Sequence, residues 1–597
     1  MKRNKYDGKE VGENTKKQKL DCEEKFGGTP ELSSVSLPDM LAPRLENSEH
    51  QHHGANTMLL FAAEQKWGLL SSLIDDNEIT PGMLLARLVN SESQGYGANT
   101  ILLLAACQQW VLLSRLENKI TSNMLATRFG NSGYQFYGAN TVLLLAEDQQ
   151  WDLLGRLIND NKITSDMLAA RYENSEHPDY GANTIQILAE DKQWDLLGRL
   201  INDNKITADM LAARFENSRS IIYGANIVLL LAEDQQWDLL GSLENKITAD
   251  MLAARFENSD HQFYGANTIM GLAAFQQWGL LSRLIDDNKI TADMLAARFE
   301  HSDYVLNGVN TILLLAVDQQ WDLLSSLENK ITADMLATRF GNSGYQFYGA
   351  NTILFLAVHN KSDLLGRLIE ADKITAGMLS ARFKNSGSLI YGANTILFLA
   401  AYNKWDLLGR LINDNKITSN MLEARFKNSG YNNYGVNTVL ILAARQQWHL
   451  LGRLIEADKI TAGMLSARFK NSGHPLYMKN LGELVLINLK QIINTPADIH
   501  SKLDILQSML CLLVTNVGEY QGILLGYLNW IAQVINSTVE IQRHIYNKFL
   551  QDNESKRNRA EKRAQEKTRQ RKEKEATIAT LKAKLVEMQM VGTEKNS

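Results

Sequence analysis

His50, His52 and His53 are the residues whose type and closeness most resemble a metal-ligand set, because imidazole nitrogens are common zinc ligands. A zinc centre needs further ligands at a matching spacing, and Cys22, Cys107 and Cys511 share none with each other or with histidine. A glycine-rich phosphate loop, a nucleophile elbow and a metalloprotease helix motif are all missing from the sequence. The reading therefore assigns no catalytic, cofactor-binding or metal residue, and it expects a protein that is not an enzyme. Only 481–550, where no repeat explains the residues, leaves room for another answer.

Two other residue types recur at fixed places. An arginine ends a Met-Leu-Ala-like run from Arg44 through Arg214 to Arg468, and nine of the ten tryptophans, Trp67 through Trp448, hold one repeat position, with Ser362 in that place once. A guanidinium row could hold a polyanion, but the sequence around it is acidic. The expectation is a structural ladder for the arginines and a core position for the indoles. The real basic stretch lies near the C-terminus: Lys556, Arg557, Arg559, Lys562, Arg563, Arg569, Arg571 and Lys572 fall within 556–574. Such a segment could touch nucleic acid or an anionic membrane, although a solvated charged helix is the plainer reading. Thirteen Lys/Arg against eight Asp/Glu over 551–597 divide the chain's net −5 into +5 there and −10 before it.

What must position these residues is a repeat. The glycine of a Gly-(Ala/Val)-Asn tripeptide falls at Gly54, Gly97, Gly138, Gly181, Gly224, Gly265, Gly308, Gly349, Gly392 and Gly435, in steps of 43 or 41. The shorter step occurs where Leu116-Glu117-Asn118-Lys119 and its counterparts replace the longer linker seen at 157–162. Ten copies of this length are a stack of layers, none able to bury its apolar faces alone. Each copy reads as three helical pieces. The first, as at 141–146, is apolar nearly throughout and capped by Asn140 or Thr141; the second places Trp151, Leu154 and Ile158 on one face; the third starts at Thr207 and carries Leu211 and Phe215 as i, i+4 neighbours. Whether a turn separates the first two pieces, or one helix runs through, is left open by periodicity.

Thr57-Met58-Leu59-Leu60-Phe61-Ala62-Ala63, followed by Trp67-Gly68-Leu69-Leu70, resembles the ankyrin repeat. The Pro and His of that motif are absent, the turn lacks its usual glycine, and the unit is longer. An armadillo-like three-helix unit is the alternative. The resemblance implies an all-α, right-handed α-solenoid of about ten 41–43-residue repeats, with a C-terminal helical cap and a long basic helix. The divisions expected are a disordered leader over 1–35, the solenoid over 36–476, a helical cap over 477–552 and a basic tail over 553–597 with a short coiled-coil-like end.

Between the third piece and the next tripeptide the copies vary freely. Phe136, Ile222, Phe263, Leu306, Phe347 and Ile390 lie in these loops and are the candidate partner-binding residues. That each tucks back against its own repeat is an equal alternative. The function expected is a non-catalytic protein–protein interaction scaffold with no cofactor. Near-identical copies, few cysteines and a polar tail are similar to ankyrin-repeat effector proteins of intracellular bacteria, which would place the chain in the cytoplasm or, after secretion, in a host's cytosol or nucleus. The alternative is a nucleic-acid or chromatin-associated protein that uses the tail. No apolar run reaches the length of a bilayer span.

Overall fold

A computed structural model describes residues 45–484 apart from 47, 76–78 and 482, together with 562, 565, 566, 568–570 and 572–576. The expected leader, residues 485–552 of the cap, Arg44, and Lys556, Arg557, Arg559, Arg563 and Arg571 of the tail lie outside the described residues. The chain divides into two compact units, Met1–Leu484 and Val485–Ser597.

The first unit is an all-α solenoid, and the copy from Gly138 shows how its sequence builds one layer. Its first helix, α1, spans Thr141–Glu147, and the Asn140 side chain caps it by accepting from the Leu143 N–H at 2.9 Å. The Asn140 amide then donates to the Met167 carbonyl at 2.8 Å, tying the start of the copy to its third piece. Val142, Leu143, Leu144 and Leu145 are all buried. Each such leucine stabilises the array by about 1.5–3 kcal/mol, and the covering surface comes from the first helices of the neighbouring copies.

A turn, and not a continuous helix, joins the first two pieces. Gln149 takes a left-handed backbone (φ 58°), as do Gln108, Lys192, Gln235 and Asn360 at the same place in other copies. The second helix, α2, then runs Trp151–Asn159. In the 41-residue copies it is shortened to six residues, as in Trp110–Arg115, and a 3₁₀ turn at Glu117–Lys119 follows. The two-residue difference is thus absorbed where the helix meets its linker. The linkers also tie the copies together: Lys205 and Lys246 donate to the Ile163 and Ile206 carbonyls of the preceding copy, both at 2.8 Å.

The third piece is shorter than its sequence pattern implies. α3 spans Ser165–Leu168, and its counterpart Ala208–Ala212 stops before Ala213, Arg214 and Phe215. Leu211 and Phe215 are both buried, as expected, but they are not partners on one helix. One turn of helix is too little for the third layer of a three-helix unit. The residues after it extend and form isolated bridges, such as Arg128 to Asn140 and Arg171 to Asn183.

The tryptophans also depart from expectation. Trp448 is buried, whereas Trp67, Trp110, Trp151, Trp194, Trp237, Trp278, Trp321 and Trp405 are half-buried. As the first residue of α2, the indole sits at the turn and covers the neighbouring copy from outside. The Trp237 ring lies 5.9 Å from Phe275, and the Trp321 ring 5.6 Å from His359.

Candidate interaction edge

After Arg171 the chain forms a loop that closes on itself, with the Gly181 N–H donating to the Tyr172 carbonyl at 2.9 Å. Successive loops stack by one backbone bond per copy. Glu173 donates to Tyr137, Glu216 to Tyr180, Glu257 to Tyr223, and Lys384 to Tyr348, each at 2.8 Å. Asparagine supplies a second rung: Asn174 Nδ2 reaches the Tyr134 carbonyl at 3.0 Å, and Asn217 Nδ2 reaches that of His177 at 2.8 Å. Arginine supplies a third. Arg171 donates to the Asp209 carbonyl at 2.9 Å and Arg255 to that of Asp293 at 3.0 Å, so the repeated guanidinium groups are spent on the next copy's backbone. The result is one edge of the stack with a fixed backbone and variable side chains.

The six residues expected to face outward do not do so equally. Phe136 and Ile222 are buried, at 6% and 7% exposure, while Phe263, Leu306, Phe347 and Ile390 are half-buried. Their rings and branches turn toward the stack, as where Phe347 meets Phe355 at 5.1 Å and Phe340 at 6.0 Å. Except at Phe136, whose predecessor Gln135 is half-buried, the residue just before each is the one that faces water. Ile221 is 55% exposed, Val305 44% and Leu389 60%, and glutamine holds that place at Gln262 and Gln346. The chain here runs through successive turns, the Tyr223 N–H donating to the Ser220 carbonyl and the Ala225 N–H to that of Ile222, so two adjacent side chains leave the loop in different directions. Loop sequence alone did not say which of two adjacent apolar residues faces out.

One stretch of the edge brings ionisable side chains together. The His177 ring stacks on Tyr172 at 3.7 Å between centroids and places Nε2 3.5 Å from Glu147, to which the Tyr172 hydroxyl also donates. His261 repeats the arrangement, stacked on Phe256 at 3.8 Å with Nε2 3.2 Å from Glu233. Beside the first pair, burial pushes the Asp179 carboxyl up to about 6, against the pull of His177 and with the push of Glu147 and Asp191. No group of three His, Cys, Asp or Glu side chains able to hold a metal ion occurs among the described residues, His50, His52 and His53 included. His52 is buried, which holds its imidazole below the usual range.

A family model described as Domain of unknown function (DUF4200) matches residues 537–594. No curated protein matches the chain. The matched stretch contains the basic residues of the tail. Lys562, Arg569 and Lys572 are exposed there in helical backbone, and Arg569 is flanked by Glu566 and Glu573 at 3.3 and 3.4 Å. No helix among the described residues is long and apolar enough to cross a membrane.

Proposed function

We propose that the chain is a non-catalytic scaffold that holds a protein partner along its loop edge. The observation that carries this reading is the pairing of an unvarying backbone ladder with side chains that change from copy to copy at the outward position, including the exposed Ile221, Val305 and Leu389. Exposed apolar side chains on a rigid support are what interface centres are made of. The repeated Asn, Arg and Lys side chains are engaged in bonds between layers, which leaves them little to offer as reacting groups.

The experiment compares capture of partners by the full chain with capture by an Ile221→Ser, Val305→Ser, Leu389→Ser variant whose circular dichroism is unchanged. Loss of capture is expected; equal capture counts against the loop edge. The helix–turn–helix order of each layer supports the ankyrin-like reading of the unit. Its setting as a secreted effector rests on tandem near-identical copies alone. A reporter-enzyme fusion that never reached a host cell's cytosol would remove that setting.

A second reading assigns the tail to nucleic acid, on the exposed Lys562 and Lys572. It requires duplex binding that weakens steeply with salt and is absent from a chain ending at Asp552. Salt-independent binding, or binding that survives the truncation, would remove it.

A further inference from the structure

The residue two places after each ladder arginine stands on the loop edge, exposed, with its N–H on the preceding loop. Along the stack that place reads Val89 and Gly130, then Glu173, Glu216, Glu257 and Glu300, then Gly341, then Lys384, Lys427 and Lys470. One sign of charge fills four consecutive loops, a residue without a side chain follows, and the other sign fills the last three. Both signs rest on the same tyrosine row. Glu173 and Glu216 push the Tyr137 and Tyr180 hydroxyls above their ordinary range, while the Lys384, Lys427 and Lys470 ammonium groups lie 5.4, 5.5 and 5.8 Å from the Tyr348, Tyr391 and Tyr434 ring centroids. Among the described residues no ion pair within the chain joins any of these seven to an opposite charge.

The outward position of the same loops repeats this symmetry about the Gly341 loop. Val305 and Leu389 lie one loop to either side of Gln346, polar Gln262 and Asn432 lie two loops away, and Ile221 and Pro475 lie three loops away. All seven are exposed. A charge series that inverts about one loop, and an apolar–polar series that mirrors about the same loop, together describe a surface complementary to itself when turned by a two-fold axis.

We propose that the loop edge pairs with the same edge of a second copy of this chain, antiparallel, with the two-fold axis at the loop that holds Gly341 and Gln346. Glu300, Glu257 and Glu216 then face Lys384, Lys427 and Lys470 of the partner copy, and the reverse set forms on the other side of the axis. Val305 meets Leu389 of the partner copy, and glycine at position 341 lets the two backbones approach at the centre. Opposite charges so placed fix register and orientation more than they add affinity, so a parallel or slipped pairing would set like charges together. The inference rests on the reading of the loop edge as a protein-binding surface and names its partner.

The test measures the mass of the full chain in solution, with its three cysteines replaced by serine. A dimer is expected at low salt, moving toward monomer at roughly 0.5 M salt, where charges are screened within a few ångströms. Lys384→Glu with Lys427→Glu, and separately Glu257→Lys with Glu300→Lys, should each give monomers, and mixing the two variants should restore a dimer. Gln346→Cys, on the axis, should cross-link to itself, whereas Gln135→Cys should not. A chain that stays monomeric at low salt, a dimer indifferent to both charge reversals, or equal cross-linking at the two cysteine positions would overturn the pairing. A monomer whose partner capture still depends on Ile221, Val305 and Leu389 would sink this inference alone and leave the edge to another protein.

Discussion

The carbonyl oxygen of Arg171 lies 2.4 Å from where a Cβ on Gly138 would stand, so the loop that ends at Gly138 can stack on the next one only because that residue has no side chain. Its backbone is left-handed as well, at φ 84°. The same contact recurs down to Gly435 and the Arg468 carbonyl, at 2.6 Å. Met478 takes the glycine's place at φ 60° where no further copy follows, and it is 45% exposed.

From this contact, Gly138→Ala should destabilise the array by about 1–3 kcal/mol, through strain and the displaced neighbouring loop. Met478→Ala should change stability by no more than roughly 0.5 kcal/mol. Denaturant titration of the two variants checks the contrast, and equal effects would contradict it.

Asn226 has two jobs. Its Oδ1 accepts from the Leu229 N–H at 2.9 Å, and its Nδ2 donates to the Met251 carbonyl at 2.8 Å, both in buried surroundings. Asn226→Ala removes a cap worth about 1 kcal/mol and leaves a buried carbonyl unpaired at a further cost of about 1–3 kcal/mol. Thermal unfolding should show a loss larger than any surface substitution on α2 or its counterparts. A loss below roughly 1 kcal/mol would mean that the asparagine ladder is dispensable.

The residue after each capping asparagine behaves differently. The buried hydroxyls of Thr141, Thr268, Thr311 and Thr395 have no hydrogen-bond partner, and Ile227 fills the same place in one copy. Thr311→Val therefore exchanges an unpaired polar atom for a methyl group of nearly the same shape. It should be neutral or stabilise by on the order of 1 kcal/mol. A clear destabilisation in denaturant would show that the hydroxyl is bonded in solution.

Asp179 gives the array a pH dependence of defined sign. Its carboxyl goes from an ordinary 3.8 up to about 6 on folding, so the native state holds the proton more tightly than the unfolded chain. Stability contributed by the protonated form is complete below about 3.8 and falls as pH rises to about 6. Asp179 is half-buried, so solvent screening reduces the effect to on the order of 1 kcal/mol. Asp179→Asn should flatten the slope between these pH values in chemical unfolding, and an unchanged slope would assign it to another group.

Much of the fold was legible because the repeat compares the chain with itself. The solenoid, the asparagine and threonine caps and the arginine ladder all follow from positions that never vary, and Thr207 caps its short helix as read, accepting from the Met210 N–H at 3.4 Å. The end of the third helix was not legible. Met-Leu-Ala-Ala-Arg-Phe is a good helical sequence, and only the bonds of the neighbouring loops make Arg214 and Phe215 extend. The turn was obscured by Gln149, a residue type that seldom takes a left-handed backbone; glycine would have marked it. At the edge, the exposed apolar side chains Ile221, Val305 and Leu389 stand one place before the residues read from the sequence. Phe136 and Ile222 looked like ligands for a partner because they are apolar and variable, yet their burial depends on the loops stacked above and below them.

Amide hydrogen exchange on the full chain tests the central claim, that the copies form one array held loop to loop, most directly. The N–H groups of Glu173, Glu216, Glu257 and Lys384, each bonded to the preceding loop, should exchange far more slowly than those of the exposed loop residues Ser175, Ser218 and Ser259. Exchange at these positions as fast as in the exposed serines would show that the copies do not support one another through this edge.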